Sequence, residues 1–160
     1  MPGYIDRNGS YYEGDRQGSD AEVPQRPSPY HDWNGTAWVA GEAAKSAMWD
    51  AIKAERDSRT ENGGYLVGAK WFHSDQKSRS QQLGLVLLGT GIPAGLQWKT
   101  MDGSFVPMTP TLAGQILVTA ASSDQAIFAV AETHKAAMES CANPVSYDYR
   151  VGWPKGYGEA

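Results

Sequence analysis

Apolar residues recur at helical spacing over residues 42–61, at Ala44, Ala47, Met48, Ala51 and Ile52, with Trp49 at the stripe's edge. That spacing predicts an amphipathic helix with one buried face. Glu55 and Arg59 stand at i,i+4 on it, and Asn62-Gly63-Gly64 supplies a stop. The run from Tyr65 to Phe72 then reads as a hairpin turning at Gly68-Ala69 in the type II′ manner. Ser74 or Asp75 caps a second helix running to about Leu88, with Leu83, Val86 and Leu87 as its expected buried stripe. A breaker-rich loop follows, Gly89-Thr-Gly-Ile-Pro-Ala-Gly95.

The stretch from Trp98 to Ile116 organises the chain. Asp102-Gly103 signals a tight type I′ hairpin, which sets Thr100 opposite Phe105 and Trp98 beside Pro107. Thr109-Pro110 opens a helix at once, with the hydroxyl as N-cap and the proline at N1, where no amide hydrogen is needed. Leu112, Ile116 and Leu117 are its inward positions. Ser122 and Gln125 form a fresh capping-box signal, so a break is expected there. A last helix over roughly 124–141 carries Ile127, Val130, Ala131, His134 and Met138 on one face, and Asn143-Pro144 stops it.

The two ends differ from this middle. Residues 1–41 contain Ile5, Val23 and Val39 as their aliphatics, against four prolines and six glycines. Such a segment buries too little aliphatic surface to offset its ordering entropy. It is rich in rings, however, and Asn8-Gly9 and Asn34-Gly35 are hairpin signals between aromatic pairs. It is read as an extended attachment arm that gains order by lying on another surface. At the other end, Val145, Tyr147, Tyr149, Val151 and Trp153 alternate with Ser146, Asp148, Arg150 and Gly152. A period of two predicts a half-buried strand. The expected fold is therefore α+β. It comprises an arm with short hairpins at 1–41, a helix–hairpin–helix–hairpin–helix domain at 42–143, and an aromatic C-terminal strand and tail at 144–160.

Composition narrows the function. The net charge of −4 argues against nucleic acid or an anionic membrane as partner. One cysteine, Cys141, permits no internal disulfide. The opening residues lack a charged-then-apolar leader pattern, and the apolar run Leu83 to Leu88 is too short to span a bilayer. Catalytic signals are weak. His31-Asp32 has no second ligand at useful spacing. His73 is a strand end beside two capping residues. His134 lies on an apolar helix face, where a hydrogen-bonded core histidine is expected, and Cys141 two turns on has no acidic partner. The glycine-rich loop at 89–95 follows a helix and precedes none, which is the wrong context for phosphate. Neither an enzyme, a metal nor a cofactor is expected.

The remaining signal is aromatic. Six tryptophans and eight tyrosines sit largely in hairpins and in the terminal segments, and such rings anchor protein interfaces. The expected partner-binding residues are Tyr4, Tyr11, Tyr12, Pro27, Pro29, Tyr30, Trp33, Trp38, Tyr147, Tyr149 and Trp153.

Three stretches also carry a resemblance: Trp49-Asp-Ala-Ile-Lys-Ala-Glu-Arg-Asp57, Lys70-Trp-Phe-His-Ser-Asp75 with Ser78-Arg79, and Leu96-Gln-Trp-Lys-Thr-Met-Asp-Gly-Ser-Phe105. Together they resemble a domain family of unknown function carried by tailed-phage and prophage proteins, among them tail fibre and tail fibre assembly proteins. The segment Arg26-Pro-Ser-Pro-Tyr-His-Asp-Trp33 is similar to the leading segment of such proteins. The resemblance implies a phage-tail setting; joined to the reading of residues 1–41 as an arm, the expectation is a non-enzymatic tail component in the virion, attached through that arm to a tail fibre or distal tail protein, in one or several copies per tail. Its alternatives are an assembly chaperone confined to the host cytoplasm and a head that binds host surface glycan.

Overall fold

The computed structural model describes all 160 residues, and the fold is α+β, with three long helices and several small antiparallel hairpins. The chain divides into two compact units: residues 1–49 with 138–147, and residues 50–137 with 148–160. The division falls inside two of the helices, not at the foot of the N-terminal segment.

In the first unit the expected hairpins are present, with an extra strand. β1 (Gly3–Ile5) pairs antiparallel with β2 (Tyr11–Glu13) on one side and β3 (Ala21–Val23) on the other. β4 (His31–Trp33) and β5 (Trp38–Ala40) form a separate two-stranded sheet. The Asp6 carboxylate accepts from the amides of Asn8 and Ser10, and Gly9 takes φ +82°. Asn34 does the same for the second turn, accepting from the amides of Thr36 and Ala37.

The second unit is built on an aliphatic and aromatic core. α1 (Glu42–Asn62) ends on Gly63 and Gly64, and β6 (Tyr65–Val67) and β7 (Lys70–Phe72) make the first hairpin. Gly68 has φ +62° and every positive-φ residue in the chain is a glycine, so Ala69 keeps an ordinary φ, as a II′ turn requires. α2 (Gln76–Leu88) is capped by Asp75, which accepts from the Ser78 amide at 2.9 Å and its hydroxyl at 2.6 Å. A short 3₁₀ turn at Gly89–Gly91 leads to β8 (Gln97–Lys99) and β9 (Phe105–Pro107), and then to α3 (Pro110–Ser140), capped by Thr109. Tyr65, Phe72, Leu85, Met108, Ala113 and Ile116 form the buried cluster, with Trp98, Val106 and Leu112 packed around it.

Four local expectations are corrected. The β8–β9 turn is not type I′. Asp102 does not take a positive φ; Gly103 does, at +81°, and Thr100 and Ser104 close a three-residue loop. Lys99 therefore faces Phe105 and Trp98 faces Val106, a shift of one residue from the expected register. That shift turns Trp98 and Val106 onto the core and leaves Phe105 62 % exposed.

On α2 the buried positions are Gln82 and Leu85, whereas Leu83 and Leu87 face solvent. The Gln82 amide donates to the His73 carbonyl at 2.8 Å, so a polar side chain takes an inward place that apolar counting gave to its neighbours. Leu117 on α3 is likewise exposed.

No break occurs at Ser122. Its hydroxyl donates to the Val118 carbonyl within the helix, so it does not cap a new one, and α3 runs unbroken for 31 residues.

The C-terminal strand is absent. Residues Pro144–Ser146 make a 3₁₀ turn, Asp148 folds the chain by accepting from the Arg150 amide, and Gly152 adopts φ +83°. Val151 is exposed while Trp153 is buried, so the alternating residues share no face.

Candidate partner-binding surfaces

The first unit is held by rings and their polar ends. Tyr4, buried, stacks on Tyr12 with centroids 5.6 Å apart. Tyr11 meets Trp38 edge-on at 5.0 Å, and Trp33 meets the same indole at 5.4 Å. The Tyr11 and Tyr12 hydroxyls each donate one bond and accept another. Tyr11 donates to Glu13 at 2.8 Å and accepts from the Arg26 amide at 3.1 Å; Tyr12 donates to Asp20 and accepts from the Gln17 amide. Burial, then the neighbouring carboxylate, push both phenols above their ordinary pKa. Trp38 Nε1 donates to the Pro24 carbonyl at 2.7 Å. Hydroxyl bonds and ring packing thus supply order that the scarce aliphatics do not.

Arg26 is the hub of the loop between β3 and β4. Its guanidinium lies over Trp38, 5.7 Å from the ring centroid, while Nε donates to His31 O at 2.7 Å and Nη2 to Pro29 O at 2.8 Å. Ser28 adds a 2.8 Å bond to His31 Nδ1 and receives the Tyr30 amide. Pro27, Pro29 and Tyr30 stand exposed on this clamped loop. Of the expected binding residues, these three present themselves outward. Tyr4 is committed to internal packing, and Tyr11, Tyr12, Trp33 and Trp38 are half-buried against one another.

The C-terminal candidates are likewise turned inward. Trp153 is buried; its Nε1 donates to the Tyr149 carbonyl at 2.6 Å and its ring lies 5.3 Å from that of His134. Arg59 covers the indole at 5.4 Å. His134 Nε2 is bonded to Val151 O at 2.9 Å, the core-histidine arrangement. Tyr147 and Tyr149 are half-buried. The segment after Trp153 forms a strap. The Tyr157 amide donates to Gly63 O at 2.8 Å, its ring lies against Trp71, and the Glu159 carboxylate accepts from the Gly156 amide and from Arg59.

Sequence reasoning missed two features of the second unit. One is a polar keystone. Arg79 donates to both oxygens of Asp124, at 2.6 and 3.2 Å, to Thr60 O at 2.7 Å and to Ser74 O, and it lies 5.2 Å from the centre of the Tyr65 ring. Burial first, then Asp124, raise the Tyr65 phenol far above its usual pKa. Arg79 and Ser74 between them satisfy carbonyls at the end of α1, which would otherwise lack donors. The other is an open furrow of about 520 Å³ between β6 and α3, with Leu66 and Val118 on opposite walls. A signal for it was in the sequence: Pro110 to Ala131 contains one charged residue, Asp124, and that one is spent on Arg79.

Nothing in either unit forms a group of three His, Cys, Asp or Glu side chains suited to a metal ion, and no buried side-chain polar atom lacks a partner. No helix is long and apolar enough to cross a membrane. Residues 43–151 match a family described as Domain of unknown function (DUF4376). No curated protein and no solved structure matches the chain.

Proposed function

Starting from the chain's membership of the DUF4376 family, a domain family of unknown function, we propose that this protein is a non-enzymatic component of a bacteriophage tail. In this reading it attaches to a tail fibre or distal tail protein through its N-terminal segment. The tail setting rests on the resemblance of the Trp49, Lys70 and Leu96 stretches. The observation that supports attachment is the clamped loop at residues 26–31. Arg26 fixes the carbonyls of Pro29 and His31 and packs on Trp38, so Pro27, Pro29 and Tyr30 are offered on a preformed surface. A surface ordered before contact loses less entropy on binding than a floppy arm. The outer edges of β2 and β3, and both edges of the β4–β5 pair, also lack a strand partner. Such edges accept a strand from another chain.

The test is capture of the cognate fibre and distal tail proteins by the full chain and by two variants. Removing residues 1–41 abolishes capture, and Tyr30→Ala weakens it about tenfold, the scale of an interface anchor. Undiminished capture by both variants contradicts the proposal. An assembly chaperone would use the same surface, and mass spectrometry of purified tails separates the two roles, because a structural component remains in the finished particle.

A further inference from the structure

The second unit carries an open furrow of its own. The furrow beside β6 has Leu66 and Gly68 on one wall and Thr111, Gln115, Val118 and Thr119 on the other. It continues into a neighbouring depression of about 510 Å³ that shares Leu66 and Thr119 and reaches Trp71, Ser122 and Lys155. At that end lies the chain's own strap, Lys155 to Glu159, which turns at Tyr157-Gly158, where the Glu159 amide donates to Gly156 O.

Two properties fix what the open part accepts. The first is main-chain chemistry. The sheet of β6 and β7 has two strands, so the outer edge of β6 is unpaired. Val67 and Lys70 close the turn as a hydrogen-bonded pair, so by alternation Leu66 and Trp71 are a non-hydrogen-bonded pair, and the Leu66 N–H and C=O point away from β7. The strap makes a main-chain bond just upstream, from the Tyr157 amide to Gly63 O. The second property is charge. Every residue lining the open part is uncharged, and a charged side chain laid there would lose hydration without a counter-ion. From Thr111 to Ser123 the helix wall measures about 18 Å, the length of about 5–6 residues of strand.

We propose that this furrow binds an extended, uncharged segment of a partner polypeptide, added as a strand to the open edge of β6. Main-chain bonds to Leu66 hold it, and alternate side chains rest on Leu66 and on Val118, which are 47 % and 69 % exposed.

The probe is an acetylated, amidated heptapeptide of alternating valine and threonine, titrated into the isotope-labelled full chain. The expected result is amide shifts at Leu66, Val67, Val118 and Thr119, with exchange of the Leu66 amide slowed about tenfold at saturation. The same peptide N-methylated on alternate residues does not bind. Val118→Glu, at an exposed position, leaves the melting temperature unchanged and weakens binding about tenfold. Shifts elsewhere, no binding at millimolar peptide, or indifference to both N-methylation and Val118→Glu overturn the proposal. So does a concentration-dependent dimer that protects the Leu66 amide without peptide, because the furrow is then an interface between two copies of this chain.

Discussion

The first forty residues and the segment from Asp50 to Ala137 solve the same problem with different materials. The N-terminal strands are ordered by tyrosine and tryptophan rings, with the polar ends of Tyr11, Tyr12 and Trp38 engaged, and Tyr4 and Val23 are their buried hydrophobics. The second unit buries Tyr65, Phe72, Leu85, Met108, Ala113 and Ile116 in one cluster and adds a network centred on Arg79. Ring-and-hydroxyl order is local, because each contact is a directed pair. Aliphatic order is shared, because a deleted group leaves a cavity that every neighbour feels. The difference teaches where a substitution acts globally and where it acts locally.

The largest expected effect lies in the shared core. Ile116 is fully buried, and Ile116→Ala costs about 2–5 kcal/mol, read as a lower urea midpoint in the helical circular dichroism signal. Next is Arg79→Met, which leaves Asp124 without its cation and the Thr60 and Ser74 carbonyls without a donor. The pair is about a quarter exposed, so the loss is about 2 kcal/mol, below the range for a fully buried pair. Trp38→Ala removes the ring that Tyr11, Trp33 and Arg26 share. It costs about 2 kcal/mol locally. Limited proteolysis then opens residues 1–41 while the helical signal of the second unit is kept. If Trp38→Ala lowers the whole melting transition as far as Ile116→Ala does, the distinction between local and shared order fails.

Acid and alkali sharpen the same contrast. Asp102 is held well below the usual carboxylate range by Lys70, Ser104 and Thr100, Asp148 is lowered to about 2 by Arg150, and Asp75 and Glu159 are lowered by Ser78 and by the Gly156 amide. All four lie in the second unit. A depressed carboxylate contributes stability that is complete above its unfolded pKa of about 4 and is lost as pH falls through the folded value. The second unit therefore loosens between about pH 4 and pH 2, and Asp102→Asn flattens that slope. Tyr11 and Tyr12 are shifted the other way, upward. Their contribution is complete below the unfolded value of about 10 and is lost as pH rises beyond it. In alkali the first unit opens as its phenolate absorbance appears, with Tyr65 of the second unit titrating later still. The smallest effect belongs to Leu87→Lys, within about 0.5 kcal/mol, because Leu87 is 80 % exposed. A larger loss would restore the apolar stripe expected on α2.

Much of this architecture was legible from spacing alone. The three helices, the turn at Gly68 and the caps at Asp75 and Thr109 follow from local rules, which long periodic segments and capping chemistry obey. The failures have different causes. Gln82 displaced Leu83 and Leu87 from the inside of α2 because of a bond to His73 O, just ahead of the helix. The β8–β9 register moved by one residue because the Asp102 carboxylate gathers the Thr100 and Ser104 hydroxyls and the Ser104 amide at a φ that an L-residue tolerates. The alternation over 145–153 met no strand to pair with and was bent by Asp148 and Gly152. Counting rings singled out the segments that carry the expected binding residues. It could not tell Tyr30, offered outward, from Tyr4, spent on Tyr12.

The most direct test of the attachment surface is hydrogen exchange of the intact chain, alone and with the cognate tail fibre or distal tail protein. Slower exchange over residues 21–40 in the complex, strongest in the loop around Tyr30 and absent along Pro110–Ser140, is the predicted result. Protection confined to residues 50–137, with the N-terminal strands exchanging as fast as in the free chain, would contradict it.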